Sequence, residues 1–279
     1  MKINLGYQVY SAREEAEKDL LGVMKQLAAI GYDGVEFAGF YGHSAEEVLA
    51  MLNETGLCAV SSHVPYQVFV PDMQGTIDYH VAIGCKFIAV PYLDEQTRPG
   101  APGFANALRN IVKFGTMCKE AGVQLLYHNH DFEFVQVSGQ YGLDFIYDAT
   151  SPCVLKTEID TCWVNIAGEV PADYIRKYSG RAPIVHLKDF VGGKTEGEAL
   201  FALITPDGKD DVVVEKKEVP AFDFRPVGYG VQDVPAIIKA GLDAGAQWFI
   251  VEQDRSTERP ALEAAKMSHG TVRKIEVTL

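Results

Sequence analysis

At 279 residues the chain has the length of one α/β barrel, a fold of about 250 residues that commonly forms a single domain. Its 47% apolar and 23% charged residues are ordinary for a soluble globular protein. Twenty-five basic against 38 acidic side chains leave a formal charge of −13, which argues against nucleic acid and against an anionic membrane surface.

No apolar run approaches the ~18 residues of a membrane span, and Met1-Lys2-Ile3-Asn4-Leu5 lacks the apolar stretch of a signal peptide. Cys58, Cys85, Cys118, Cys153 and Cys162 are odd in number and form no C-x-x-C. Reduced thiols in a cytoplasm fit that usage better than a disulfide frame.

Strand-like runs then alternate with helix-length segments. Ile3 to Val9 is the first expected strand, and Leu20, Val23, Met24 and Leu27 give the next stretch, Ala12 to Ile30, helical spacing. Gly31 is placed to end that helix. Gly34 to Ala38 is the second strand, and Ser44-Ala45-Glu46-Glu47 reads as a capping box opening a helix to about Thr55. Leu57 to Ser62 is the third strand, ending at His63. A helix over Asp72 to Gly84 leads to the fourth strand, Lys86 to Tyr92. A loop rich in Gly and Pro, Arg98 to Gly103, precedes a helix to about Ala121.

Val123 to Asn129 is the fifth strand, Val154 to Asp160 the sixth, Ile184 to Lys188 the seventh and Trp248 to Gln253 the eighth. Helices are expected near Gly142 to Ala149, Ala172 to Tyr178, Val234 to Ala244 and Arg259 to His269. Eight strands alternating with helices argue for parallel pairing and closure into a single (β/α)8 barrel over residues 1–279. An open doubly wound sheet is the alternative, but no G-x-G-x-x-G opens a helix. Between strands seven and eight, residues of about 192–226 read as an inserted β-hairpin-like excursion, carrying Leu200 to Leu203, Val212 to Val214 and Glu215 to Glu218.

The fifth strand ends in Tyr127-His128-Asn129-His130-Asp131-Phe132-Glu133-Phe134. Residues two apart on a strand share a face, so His128 and His130 point the same way if the strand persists. Imidazole and carboxylate together suit zinc, manganese or iron. Polar groups collect at the other strand ends as well: Glu36, His63, Glu158 with Asp160, His186 with Lys188, and Glu252 with Asp254. Barrel active sites are built at those ends. Charges inside apolar runs such as Ile184-Val185-His186 need partners, and a shared cation satisfies several at once.

These motifs resemble the xylose-isomerase-like barrels grouped as sugar phosphate isomerases/epimerases, with the inosose dehydratases and ketose 3-epimerases among them. The resemblance is carried by Gly31-Tyr32-Asp33-Gly34-Val35-Glu36, Ser61-Ser62-His63, Tyr127-His128-Asn129-His130, Glu158-Ile159-Asp160-Thr161-Cys162-Trp163, Val185-His186-Leu187-Lys188-Asp189 and Val251-Glu252-Gln253-Asp254. It implies one divalent ion, manganese first, with zinc, cobalt, iron or magnesium as alternatives. Its ligands would be His128 or His130, Asp160, His186 and Glu252. Sugar epimerases of this group usually carry a glutamate on strand five. The H-x-H found here is closer to inosose dehydratases and to lyases of keto-sugars.

The implied activity is an isomerase or epimerase acting on an unphosphorylated sugar, sugar acid or cyclitol through an enediolate. A dehydratase or lyase on an inosose or 3-keto-glycoside is the alternative, and a non-catalytic sugar-binding barrel the second. Glu252 is the first choice of base, with Glu158 or Glu133 behind it, while Lys188 and His63 serve as acid or oxyanion partners. Tyr7, Glu36, His63, Tyr92, Glu133, Trp163 and Lys188 are expected to line the sugar, with Phe37, Tyr66 and Phe222 as further aromatic faces. The insert before strand eight is a candidate contact for a homo-oligomer.

Overall fold

The structure is a computed structural model and describes residues 2–193 and 221–278. Eight strands close into one parallel barrel: β1 (Leu5–Gln8), β2 (Gly34–Phe37), β3 (Cys58–His63), β4 (Phe87–Val90), β5 (Gln124–His128), β6 (Leu155–Asp160), β7 (Ile184–Leu187) and β8 (Trp248–Val251). Each pairs with its neighbours in the sequence, and β1 closes the ring on β8 with Leu5 opposite Phe249. The (β/α)8 barrel expected from the alternation is the one observed.

Both faces of this sheet are covered, so its strands are apolar throughout and only alternation separates inside from outside. Leu126, Ile184 and Ile250 point inward, where they join Val60, Phe87 and Ala89 in an apolar plug. Leu125, Tyr127, Val185 and Phe249 point outward into the core shared with the helices. Burying each large apolar side chain contributes about 1.5–3 kcal/mol, before ordering costs. The plug is tight at β1 and β2. A Cβ added at Gly6 would lie 2.5 Å from Ile250 Cδ1, and one at Gly34 would lie 2.6 Å from Val60 Cγ2.

The helix predictions hold with four changes, the smallest an unexpected single turn at Tyr66–Phe69. Ser44 and Glu47 form the expected capping box on the helix Ala45–Thr55, and Gly31 ends the helix Arg13–Ile30 with φ 111°. That first helix is broken at Asp19, which leaves helical geometry and accepts a hydrogen bond from Gly22 N at 2.8 Å. Asp19 thus acts as a cap inside the segment. An additional short helix, Thr161–Ile166, starts directly at the end of β6. The last helix, Ala261–Thr278, continues well past His269. Its continuation buries Val272 and lets Arg273 donate to Ile3 O at 2.8 Å and Asp33 Oδ2 at 2.7 Å.

After β7 the chain leaves the barrel. Asp189–Val191 pairs antiparallel with Asp223–Arg225, forming the two-stranded base of the excursion. Leu200 to Leu203, Val212 to Val214 and Glu215 to Glu218 lie outside the described residues. Asp189 fixes the return, accepting from Gly228 N at 2.9 Å, Gly230 N at 3.0 Å and Gln232 N at 3.1 Å. No helix among the described residues is long and apolar enough to cross a membrane.

Candidate metal centre

Above the apolar plug the inward positions become polar. Glu36, His128, Glu158, Asp160, His186, Lys188 and Glu252 are all buried at the C-terminal end of the barrel. Strand alternation brings them together, because Leu126, His128 and His130 follow one another on one face, as do Ile184, His186 and Lys188. Asn129 faces away and bridges to β6, donating to Asp160 O at 3.2 Å and accepting from Asp160 N at 3.0 Å.

Two imidazoles link an inner and an outer set of carboxylates. His128 Nδ1 donates to Glu158 Oε1 at 3.2 Å, while its Nε2 lies 3.7 Å from Asp160 Oδ2. His186 Nε2 lies 2.7 Å from Glu36 Oε1, while its Nδ1 is 3.0 Å from Glu252 Oε2. One ligand atom from each of His128, Asp160, His186 and Glu252 falls within 4.8 Å of all the others. His63, His128, Glu158 and His186 form a second such group deeper in the barrel.

The outer group fits a divalent cation better. A metal-ligating histidine usually gives its other ring nitrogen to a carboxylate that orients it. Glu158 and Glu36 stand in that place for His128 and His186. Asp160 divides its oxygens: Oδ1 caps the helix Thr161–Ile166 through Cys162 N at 2.8 Å and Trp163 N at 3.2 Å, leaving Oδ2 toward the centre. Among the described residues, five carboxyl groups (Glu36, Glu158, Asp160, Glu252 and Asp254) are buried here beside one ammonium, that of Lys188. Glu36 Oε2 and Glu158 Oε2 accept no hydrogen bond among the described residues. Such an excess of buried oxygen donors suits a hard or borderline divalent ion.

The ionisation pattern follows from the same contacts. Burial pushes His128 down to about 4 and His130 well below the usual imidazole range, so both are neutral donors at pH 7. Burial acts against charge at His63 and His186 too, but Glu36 and Glu158 outweigh it and raise both. Glu158 and Glu252 are held well below their ordinary values despite burial, Glu158 by His186 and His63, Glu252 by Lys188 and His186. Glu36 is pushed up by burial and by Glu158. Asp254 reaches about 7 through burial, against the pull of Lys188.

Lys188 Nζ lies 2.7 Å from Glu252 Oε2, 2.9 Å from Asp160 Oδ2 and 3.0 Å from Asp254 Oδ2. His63 Nε2 lies 2.6 Å from Glu158 Oε1 and 3.2 Å from Glu36 Oε1. His63, Tyr92, His128, His130, Glu252 and Asp254 line a cavity of about 810 Å³. His130 borders that cavity but belongs to neither ligand group, so the geometry selects His128 as the strand-five candidate.

Several expected sugar contacts are placed elsewhere. Tyr7 lies on the outer face of β1, its ring 5.4 Å from Tyr32, because Gln8 takes the inward position and donates to Glu36 at 2.7 Å. Glu133 is fully buried with both oxygens occupied, Oε1 by Tyr127 OH and Oε2 by His130 N, each at 2.8 Å. It braces the loop after β5, and burial raises its carboxyl to about 8. Trp163 is fully buried behind the site, its ring 5.3 Å from Lys188 Nζ and 5.5 Å from the His130 ring. Phe37 and Tyr66 belong to the core between barrel and helices, and Phe222 packs with Trp163, Phe190 and Phe224. Gln8 was not singled out from the sequence, since a lone amide on a four-residue strand carries no pattern.

Fold and site together define a (β/α)8 barrel with an acidic, imidazole-rich centre at its C-terminal rim. The chain belongs to the xylose isomerase-like TIM barrel family, whose model matches residues 24–271. Among its relatives is an inosose dehydratase of Lacticaseibacillus casei, 25% identical over 213 residues, covering 70% of this chain and 68% of that one. In structure it is similar to a sugar phosphate isomerase/epimerase from Parabacteroides distasonis, with a TM-score of 0.73 at 18% identity over 98% of both chains. The IOLI protein, whose crystal structure holds a zinc atom, gives 0.69 at 13% identity, again over 98% of both. The resemblance drawn from the six sequence motifs therefore holds.

Proposed function

We propose that this protein is a divalent-cation-dependent enzyme that removes a proton beside the carbonyl of an unphosphorylated keto sugar or keto cyclitol and then eliminates water. His128, Asp160, His186 and Glu252 would hold the cation, which when bound supplies Lewis-acid polarisation of the carbonyl. Glu252 lines the cavity and is held ionised, which suits a base taking the proton from carbon. His63 lines the same cavity, and Glu36 and Glu158 raise its pKa against the effect of burial, which suits an acid giving its proton to the departing hydroxyl. The substrate proton ends on Glu252, the hydroxyl leaves as water with the His63 proton, and solvent resets both groups. Lys188 keeps Glu252 and Asp160 in place and holds Glu252 ionised.

The observation that carries this reading is the unlikeness of the two groups. A carboxylate on β8 faces the cavity together with an imidazole on β3 whose pKa Glu36 and Glu158 raise, three strands away around the ring. A base and an acid of different type suit elimination across two adjacent carbons. Similarity to an inosose dehydratase supports the same outcome. Isomerisation or epimerisation is the second reading. It is favoured by the same placement if Glu252 and His63 address opposite faces of one carbon.

The test uses manganese-loaded protein in deuterated water with inososes and with a panel of ketoses. A product lighter by one water establishes elimination, while unchanged skeletal mass with one carbon-bound deuterium establishes epimerisation or isomerisation. Failure of both, with Glu252→Gln indistinguishable from wild type, would leave a sugar-binding barrel.

A further inference from the structure

The cavity, at about 810 Å³, lies high in the ~300–1,000 Å³ range of pockets for drug-sized ligands. His63, His128, His130, Glu252 and Asp254 line its catalytic part, and Asp94, Glu95 and Arg98 line it as well. A further part, an arm beside the loop after β2 and the helix Met73–Ala82, is walled by Phe40, Val64, Val68, Tyr79, His80 and Tyr92. The Phe40 ring lies 4.3 Å from Tyr79 and 5.4 Å from His80, centroid to centroid. Tyr79 directs its hydroxyl away, donating to His43 O at 2.8 Å. This is an aromatic and aliphatic wall joined directly to a polar one.

His80 is the exception within that wall. It is 2% exposed, and its Nδ1 lies 2.6 Å from Thr76 O. A carbonyl only accepts, so Nδ1 carries the hydrogen. Burial pushes this imidazole below its ordinary pKa, and in the neutral ring Nε2 is then an acceptor. That buried nitrogen has no hydrogen-bond partner among the described residues. An unmet buried acceptor is costly, and a donor brought by a ligand removes the cost.

We propose that this arm is a second subsite, taking an aromatic substituent attached to the sugar, with His80 Nε2 accepting a hydrogen bond from a hydroxyl on that ring. The inference rests on reading the catalytic part as a sugar site. It makes His80 a specificity residue, outside the catalytic machinery.

Titration calorimetry of manganese-loaded protein with methyl, phenyl and para-hydroxyphenyl β-glucosides tests it. Phenyl should bind at least about 10-fold tighter than methyl through apolar burial, and the para-hydroxyl should add about 3–10-fold more. His80→Phe should remove only the second increment, and His80→Gln, which keeps an acceptor, should restore part of it. Equal affinity for methyl and phenyl, no binding of any glucoside, or a hydroxyl increment that survives in His80→Phe overturns the proposal. Turnover of keto sugars separates the two readings. Undiminished turnover in His80→Phe with no aryl preference in wild type sinks the arm alone. His80-dependent aryl binding without turnover of any keto substrate sinks the enzymatic reading and leaves the arm standing.

Discussion

The two rims of the barrel both carry clustered charge, and they treat it in opposite ways. At the N-terminal rim Asp33 is fully paired: Oδ1 meets Lys2 Nζ at 2.6 Å, and Oδ2 meets Arg273 Nη2 at 2.7 Å and Leu5 N at 3.1 Å. Burial would raise its carboxyl, but those three donors outweigh it and lower it. At the C-terminal rim five buried carboxyl groups share Lys188 and a few imidazoles, and several oxygens have no hydrogen bond among the described residues. Buried ion pairs seldom repay their desolvation. The lower cluster sits where water screens it and serves the fold. The upper one holds negative charge in excess, a liability for folding that a bound cation turns into an asset.

Breaking the upper cluster at its centre should therefore cost function and spare the fold. Asp160→Ser keeps an oxygen to cap the helix Thr161–Ile166 and removes the anionic ligand. Manganese content by elemental mass spectrometry should fall to background. Turnover should fall by more than the ~10–100-fold typical of losing an orienting partner. In the presence of chelator its melting temperature should match or exceed wild type. A variant that keeps one manganese per chain would end this account of the centre. Glu158→Gln is the milder cut, since it leaves the four ligands and weakens a carboxylate that orients His128 and also meets His63 and His186. A loss of about 10–100-fold in manganese affinity is expected. A larger loss would place the ion in the deeper group, on Glu158 itself.

Much of this was legible in the sequence, and the failures share a cause. His186 and Glu252 were readable because each ends an apolar run, and Asp160 because it closes its strand at the same point of the repeating unit. His128 and His130 could not be separated by period two, since both face inward. The group of mutually close ligand atoms contains His128 and not His130, which favours His128. Tyr7 was misplaced because a strand apolar on both faces does not reveal which parity is inside. Glu133 was misplaced because the chain turns back through Phe132–Phe134 and directs the carboxyl to Tyr127. The last helix, expected to end near His269, runs on to Thr278, where Arg273 docks onto Ile3 and Asp33. His80 was passed over because it sits on a helix that reads as ordinary core.

Glu133 gives a sharper contrast between carboxyls buried for structure and those buried for a cation. Its folded pKa, about 8, lies above the unfolded value near 4.5. The folded chain therefore keeps a proton that the unfolded chain releases between those two values. Its stabilising contribution is complete below about pH 4.5 and gone above about pH 8. Glu133→Gln removes this titration while keeping an acceptor for His130 N. Urea denaturation should show the variant gaining on wild type between pH 5 and 9, by about 1–3 kcal/mol at the upper end. A parallel pH dependence in both proteins would mean that this carboxyl does not carry the proton.

The smallest effect belongs to the lower rim. Arg273→Met keeps the apolar stem and removes the guanidinium from Asp33, Glu276 and Ile3 O. Because the Arg273 side chain is 22% and the Asp33 side chain 19% exposed, water screens the pair, and about 0.2–1 kcal/mol is expected. The lowered carboxyl of Asp33 gives stability that is complete above the ordinary carboxylate range and lost as pH falls through its depressed value. The Met variant should therefore lose most at neutral pH and low salt and converge on wild type in acid or at about 1 M salt. Manganese affinity should not change, since this rim is separated from the centre by the apolar plug. A salt-independent loss would assign the effect to packing of the Arg273 stem against the end of β1, and the electrostatic contrast between the rims would fail there.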